Sequence, residues 1–238
     1  MRWGTFCAVG LLAAQATAAS AADYSPPPPP LPPAVQPLPL VSLNGWYLRG
    51  DVGYAWGVVD GADAATGFSS PTESTLGNAV TGDLGVGYKW RWIRTDLTFD
   101  YLAPMDYSGT VATPGDVTAK ISAASALFNG YIDLGTWYCL TPYIGAGVGA
   151  AYMTASDYAS TVAPPFTSSN HHQWNVAWAA MAGVEYAVTP RLNIDVGYRY
   201  INFGDVSTDA DAFGAMTFKN VAAHEVRAGL RWSLDGLF

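Results

Sequence analysis

Charge is scarce in this sequence. Only 13 % of its 238 residues are Asp, Glu, Lys or Arg, about half the ~25 % of ordinary soluble domains. Positive charge is scarcest: 11 Lys and Arg stand against 19 Asp and Glu, a net charge of −8. Nucleic acid demands a basic face, so the balance argues against it as a partner. Long apolar runs are also missing. Beyond the N-terminal leader no run of ~18 apolar residues occurs, so no spanning helix is expected. Cysteine is nearly absent, with Cys7 in the leader and Cys139 beyond it. One cysteine in an exported chain makes no internal disulfide. Cys139 reads as a small apolar residue or an intermolecular disulfide partner.

Residues 1–21 read as a secretory signal. Arg2 is the basic start, Trp3 to Ala14 the apolar stretch, and Ala19-Ser20-Ala21 the small-residue cleavage site, with Ala22 the near alternative. Residues 22–43 form a linker dominated by "PPPPPLPPAVQPLP". Proline lacks an N–H and fixes φ, so this tract is a polyproline-II spacer. At ~3.1 Å per residue it extends ~40 Å. It reads as a passive periplasmic stalk, or as a contact to peptidoglycan or a periplasmic partner.

Residues 44–238 carry a different signal, a period of two, which sends successive side chains to opposite faces of a strand. In "IRTDLTFDYL", Ile93, Leu97, Phe99 and Tyr101 alternate with Arg94, Asp96, Thr98 and Asp100. The same alternation runs through "NGWYLRGDVGYAWG", "VTGDLGVGYKW", "PYIGAGVGAAY", Trp174 to Tyr186, "RLNIDVGYRYI" and "HEVRAGLRWSLDGLF". A weaker segment covers roughly 119–134. These make eight strands of about ten residues. Eleven residues at ~3.3 Å each, tilted ~45°, rise about 25 Å, the apolar band of a membrane barrel. The connections alternate. Short turns are expected at Lys89–Trp92, Gly135–Pro142 and Thr189–Arg191, and long solvated loops near 58–78, 103–118, 154–172 and 204–219. The short side and both termini would be periplasmic. The fold expected is an all-β, eight-stranded, antiparallel up-and-down transmembrane barrel.

Alternation alone does not say which face is inside. Side-chain size does. An eight-stranded barrel is just wide enough to be filled by side chains. Small residues and paired charges should fit there, and rings of Trp and Tyr should not. The lumen is therefore assigned Arg49, Asp51, Asp83, Lys89, Arg94, Asp96, Asp100, Asp133, Glu185, Asp195, Arg199, Glu225, Arg227 and Arg231. Both signs are present, as a paired plug needs; a narrow polar conduit is the alternative. Gly145, Gly147 and Gly149 would leave room for Tyr131 and Met181. Two aromatic girdles are expected at the membrane–water interfaces. Trp46, Trp90, Trp92, Trp137, Tyr186 and Trp232 fall on the short-turn side; Trp56, Tyr101, Tyr152, Trp174, Trp178 and Tyr200 fall on the other. His171 and His172 are adjacent on a strand and point to opposite faces, a poor metal geometry. His224 shares the parity of Val226. The sequence near it, Ala222-Ala223-His224-Glu225, lacks the His-x-Ser pattern of a rim catalytic site. No catalytic residue, metal or cofactor is assigned.

The segments quoted above, together with "LFNGYIDLG" and "LNIDVGYRYINFG", resemble the small eight-stranded outer-membrane β-barrels of Gram-negative bacteria. That family includes the opacity-type proteins and the surface antigens of alpha-proteobacteria. The resemblance implies an outer-membrane location, contact with lipid and lipopolysaccharide, and a structural, envelope-integrity and surface role. A narrow porin-like channel or an adhesin is the alternative, and a lipid A-modifying enzyme comes third. The chain end, with Leu230, Trp232, Leu234 and Phe238, resembles the signature read by the barrel-assembly machinery. It departs from that signature at Gly236, where the family has an aromatic.

Overall fold

The computed structural model describes residues 44–64, 73–111, 115–160, 166–167, 171–207 and 216–234. The leader, the proline linker and Phe238 lie outside them. Eight long strands dominate: β1 (Asn44–Val58), β4 (Asn78–Trp90), β5 (Ile93–Val111), β6 (Gly115–Asp133), β7 (Leu140–Ser160), β9 (His171–Ala187), β10 (Leu192–Asn202) and β13 (Ala222–Ser233). Each pairs antiparallel with its neighbours in chain order, and β13 returns to β1 from Tyr47↔Ser233 to Val58↔Ala222. The sheet is therefore a closed up-and-down barrel with no free edge. In lipid this is what backbone N–H and C=O groups require.

The alternation of the sequence becomes the wall of the barrel. Outward residues such as Leu48, Val52, Leu84, Phe99, Val176, Val196 and Leu230 are exposed, while their odd-spaced neighbours are buried. The short turns are tight. Trp90 pairs with Ile93, and Arg91 takes φ +57° between them. At the β9–β10 turn, Thr189 Oγ1 accepts from the amides of Arg191 (3.2 Å) and Leu192 (2.9 Å).

The opposite side departs from the expected solvated loops. Strands run on through much of 103–118 and 154–172, so β5 and β6 reach 19 residues and β7 reaches 21. The inward face continues there with Met105, Tyr107, Ala119, Ile121, Met153 and Ala155, all buried, and this keeps the strands paired. The β5–β6 register shifts between Leu102 and Met105, at Pro104, which cannot donate to a ladder, and the β6–β7 register shifts between Thr118 and Lys120. Above β1 and β13, β2 (Gly61–Ala64), β11 (Val206–Ser207) and β12 (Met216–Lys219) form a separate three-stranded sheet. β3 (Glu73–Leu76) adds to β5, and β8 (Phe166–Thr167) adds to β7.

Candidate functional site

The interior is the chemically distinctive region. All fourteen charges assigned to the lumen lie there: Arg49, Asp51, Asp83, Lys89, Arg94, Asp96, Asp100, Asp133, Glu185, Asp195, Arg199, Glu225, Arg227 and Arg231 are each at most 9 % exposed. Their positions follow from strand parity, because odd residues of β1, β4, β6, β9, β10 and β13, and even residues of β5 as far as Leu102, point inward.

The charges form two groups. Toward the periplasmic turns, Asp133 contacts Lys89 (3.1 Å) and Arg94 (2.7 Å), and Arg94 continues to Glu185 (3.1 Å). Arg231 joins Glu185 to Asp195. Three carboxylates meet three cations, and the group is balanced. Farther out, Arg49 clasps Asp51 through Nε and Nη2, both at 2.8 Å, and reaches Asp96 at 3.0 Å. Arg227 bridges Asp51 and Asp83, and Arg199 bridges Asp100 and Glu225. This group holds five carboxylates and three cations. Asp96 is also held by the hydroxyl of Tyr47 (3.0 Å) and the amide of Asn129 (2.9 Å), and Asp100 by Thr98 (2.8 Å). Asp83 has no such extra donor, and its Oδ1 has no hydrogen-bond partner.

Tyr131 enters the lumen as the glycines of β7 lead one to expect, and, contrary to the size argument, two further aromatic rings enter with it. Tyr47, Tyr131 and Tyr143 are buried among the charges. Arg94 lies 4.7 Å from the Tyr143 ring centre and 5.2 Å from that of Tyr131. Tyr143 donates to Asp195 at 2.8 Å. Glycines make the space. A Cβ on Gly87 would lie 2.4 Å from Tyr47 Cζ, and one on Gly183 would lie 2.5 Å from Tyr143 Oη. Gly145 does the same for Tyr131, and Gly147 chiefly for Asn129, with Met181 just beyond. At Gly149 the close atom is instead the Ala126 carbonyl, so that glycine serves strand approach.

The outer storey of the lumen is apolar, which the sequence reading did not anticipate. Leu102, Met105, Tyr107, Ile121, Met153, Ile201, Phe203, Val206 and Phe218 are buried together, over a wall of small Ala55, Ala79, Ala123, Ala151, Ala177, Ala179 and Ala223. Phe218, from β12, meets Tyr107 edge-on at 4.8 Å between ring centres. The signal was present in the parity: Leu102, Ile121 and Ile201 fall on the same alternation as the lumen charges. Among the described residues, a void beside Arg49 and Asp195 and another beside Asp100 and Glu225 are each ≈ 10 Å³, room for about one water.

The aromatic residues form two outward belts. Trp46, Trp90, Trp92, Trp137, Tyr186 and Trp232 are exposed near the short turns. Trp56, Tyr101, Trp174 and Trp178 are exposed near the other end, with Tyr152 and Tyr200 half-buried beside them. His172 stands on β9 rather than in a loop; it stacks on Tyr152 at 5.4 Å and meets Thr154 Oγ1 at 3.1 Å. His224 faces outward among Trp56, Tyr198 and Tyr200. Leu230 and Trp232 also face outward, and the Leu234 amide donates to Trp46 O at 2.8 Å. Above the membrane, Lys120 binds Asp157 at 3.0 Å, and that hydrogen bond raises the ammonium's pKa above its ordinary value.

This architecture agrees with known proteins. A family model described as an outer membrane protein beta-barrel domain matches residues 4–233. An uncharacterized protein of Brucella melitensis is 33 % identical, over 91 % of this chain and 93 % of its own length. A Rickettsia conorii protein that carries the provisional name of an adhesin is 27 % identical, over 80 % of this chain and 83 % of its own. Among solved structures, the outer membrane protein OprG of Pseudomonas aeruginosa superposes with a TM-score of 0.52 at 15 % identity, covering 79 % of this chain and 95 % of that one. The chain belongs to the outer-membrane β-barrel domain family and resides in the outer membrane of a Gram-negative envelope, among its lipid and lipopolysaccharide.

Proposed function

We propose that this protein is a non-conducting barrel that reinforces the outer membrane and presents a surface above it. The observation that carries this reading is the packing of the inward face, with a cross-linked charged network below and Phe218 on Tyr107 above. Ions cross a barrel through continuous water, and the voids beside the network hold about one water each. The network also ties strands that are not neighbours. Arg199 of β10 reaches Asp100 of β5, and Arg49 of β1 reaches Asp96 of β5. Such cross-braces resist shear of the barrel. In this reading the chain has no catalytic, metal or cofactor role.

A surface-binding role is the second reading. β5, β6 and β7 rise roughly 20 Å above the outer aromatic belt, taking ~3.3 Å per residue at ~45° tilt. This projection, and the adhesin name of the Rickettsia relative, favour a surface contact. The remaining assignments belong to the same proposal. Residues 1–21 direct export, 22–43 span the periplasmic side as a stalk or a peptidoglycan contact, and Leu230, Trp232, Leu234 and Phe238 present the end of the chain to the assembly machinery.

Planar-bilayer recording of the refolded mature protein tests the plug. A folded barrel, identified by heat-modifiable migration, should be electrically silent. Reproducible conductance steps that change on substituting Arg94 or Asp96 would replace the plug with a polar conduit.

A further inference from the structure

The lipid-facing wall carries a hydrogen-bonded side-chain dyad near its outer end, on β10 and β13. The hydroxyl of Tyr198 on β10 is bonded to Nδ1 of His224 on β13, and the bond is exposed. With the tyrosine O–H as donor, the neutral imidazole bears its proton on Nε2. That leaves an N–H donor on a ring that faces the membrane. The ring is framed by aromatics from neighbouring strands. Trp56 of β1 stacks on it at 6.2 Å and 19°, and Tyr200 lies at 5.1 Å.

The depth of the dyad matters. His224 is eight residues along β13 from Trp232 in the periplasmic belt, roughly 19 Å of rise at ~3.3 Å per residue and ~45° tilt. That places it near the outer end of a band ~25 Å tall, at the headgroups of the outer leaflet. The charged groups around it are accounted for. Glu225 and Arg199, beside it on β13 and β10, point into the lumen. Asp60 and Asp205, above it, are both engaged by Asn220, at 2.9 and 2.8 Å. Lys219 is exposed at the same corner, where β12 pairs it with Gly61 beyond the end of β1.

We propose that Tyr198, His224, Trp56 and Tyr200 form a subsite for the lipid A headgroup. The imidazole N–H donates to a phosphate oxygen, and the Trp56 and Tyr200 rings receive the glucosamine. A phosphate is a strong acceptor, and a bond to it exceeds a neutral one. The flat aromatic surface suits a sugar better than a glycerol, which favours lipid A over a phospholipid. The site is independent of whether the lumen conducts.

Native mass spectrometry of the refolded mature barrel tests this with three probes: bisphosphorylated lipid A, dephosphorylated lipid A and phosphatidylglycerol. The first should bind at least tenfold tighter than the other two. His224→Phe should weaken it about tenfold, as expected for one hydrogen bond to a charged group. His224→Gln, which keeps a donor, should restore most of that loss. Heat-modifiable migration checks folding of each variant. Equal binding of the three lipids by the unsubstituted protein overturns the proposal, as does undiminished lipid A binding by folded His224→Phe. If His224→Phe does not fold, the three-lipid comparison and His224→Gln still decide.

Discussion

Asp51 and Asp83 stand directly opposite each other across β1 and β4, and both carboxylates rest on the one guanidinium of Arg227. Asp100 faces Asp83 from the other side, on β5. Three carboxylates thus lie in one row across three strands, inside a group that has five acids and three bases. Asp51 has Arg49 as a second partner and Asp100 has Arg199. Among the described residues, the cation that Asp83 meets is Arg227.

Removing one of the surplus negative charges should therefore cost nothing. Asp83→Asn keeps the shape and relieves repulsion from Asp51 and Asp100, so it is expected to leave urea stability unchanged or raise it. Arg227→Met should do the opposite, with a loss of about 3–5 kcal/mol, because it strands buried Asp83. Unfolding of the two variants in detergent micelles or lipid vesicles compares them. Equal destabilisation by both would mean the surplus is compensated elsewhere.

The tyrosines of the lumen depend on missing side chains opposite them. Gly87→Ala would place a methyl 2.4 Å from Tyr47 Cζ. Overpacking of this kind costs about 1–3 kcal/mol. The second substitution Tyr47→Leu should return part of the loss, since the methyl then has room. It would also remove a donor from Asp96, so the recovery should be incomplete. Unfolding midpoints of the single and double variants measure the coupling.

The barrel was legible in the sequence wherever its two faces meet contrasting surroundings. β5 is the clear case: Leu97 and Phe99 face lipid while Asp96, Thr98 and Asp100 face the charged lumen. β6 was faint because contrast fails on both sides. Its inward Ala119, Ala123 and Ser125 and its outward Ser122, Ala124 and Ala126 are equally small. The outer extensions of β5 and β7 looked like loops for a related reason. Above the lipid their outward side chains, such as Ser108, Thr154 and Ser156, face water, so the lipid half of the pattern disappears. The charges of the lumen followed from parity alone. Their partners did not, because Arg199 and Asp100 are 99 positions apart and meet only when the ring closes.

Above the membrane, the bond to Asp157 favours the charged form of Lys120. The sign fixes the pH range of the effect. A raised ammonium contributes its stabilisation fully below its ordinary pKa and loses it as pH rises through the raised value, so the pair is intact at neutral pH and its pH dependence lies on the alkaline side. At alkaline pH, Lys120 should be acylated more slowly than in Asp157→Asn. Peptide mass mapping after a short pulse of amine reagent reads the two rates. Identical rates would mean that the pair does not persist in solution.

The two storeys of the lumen make separable predictions about sealing. Phe218 is fully buried against Tyr107, and Phe218→Ala should cost about 3–5 kcal/mol, as large aromatic truncations in cores do. It should nevertheless leave the barrel silent in planar bilayers, because the charged network still crosses the lumen beneath it. Replacing Arg49, Arg199 and Arg227 together should also leave the barrel silent, because the apolar storey remains, until Phe218→Ala is added. Conductance from the combined variant alone would locate two seals in series. Conductance from Phe218→Ala by itself would mean that the apolar storey is the barrier, and that the charges beneath it already let water and ions through.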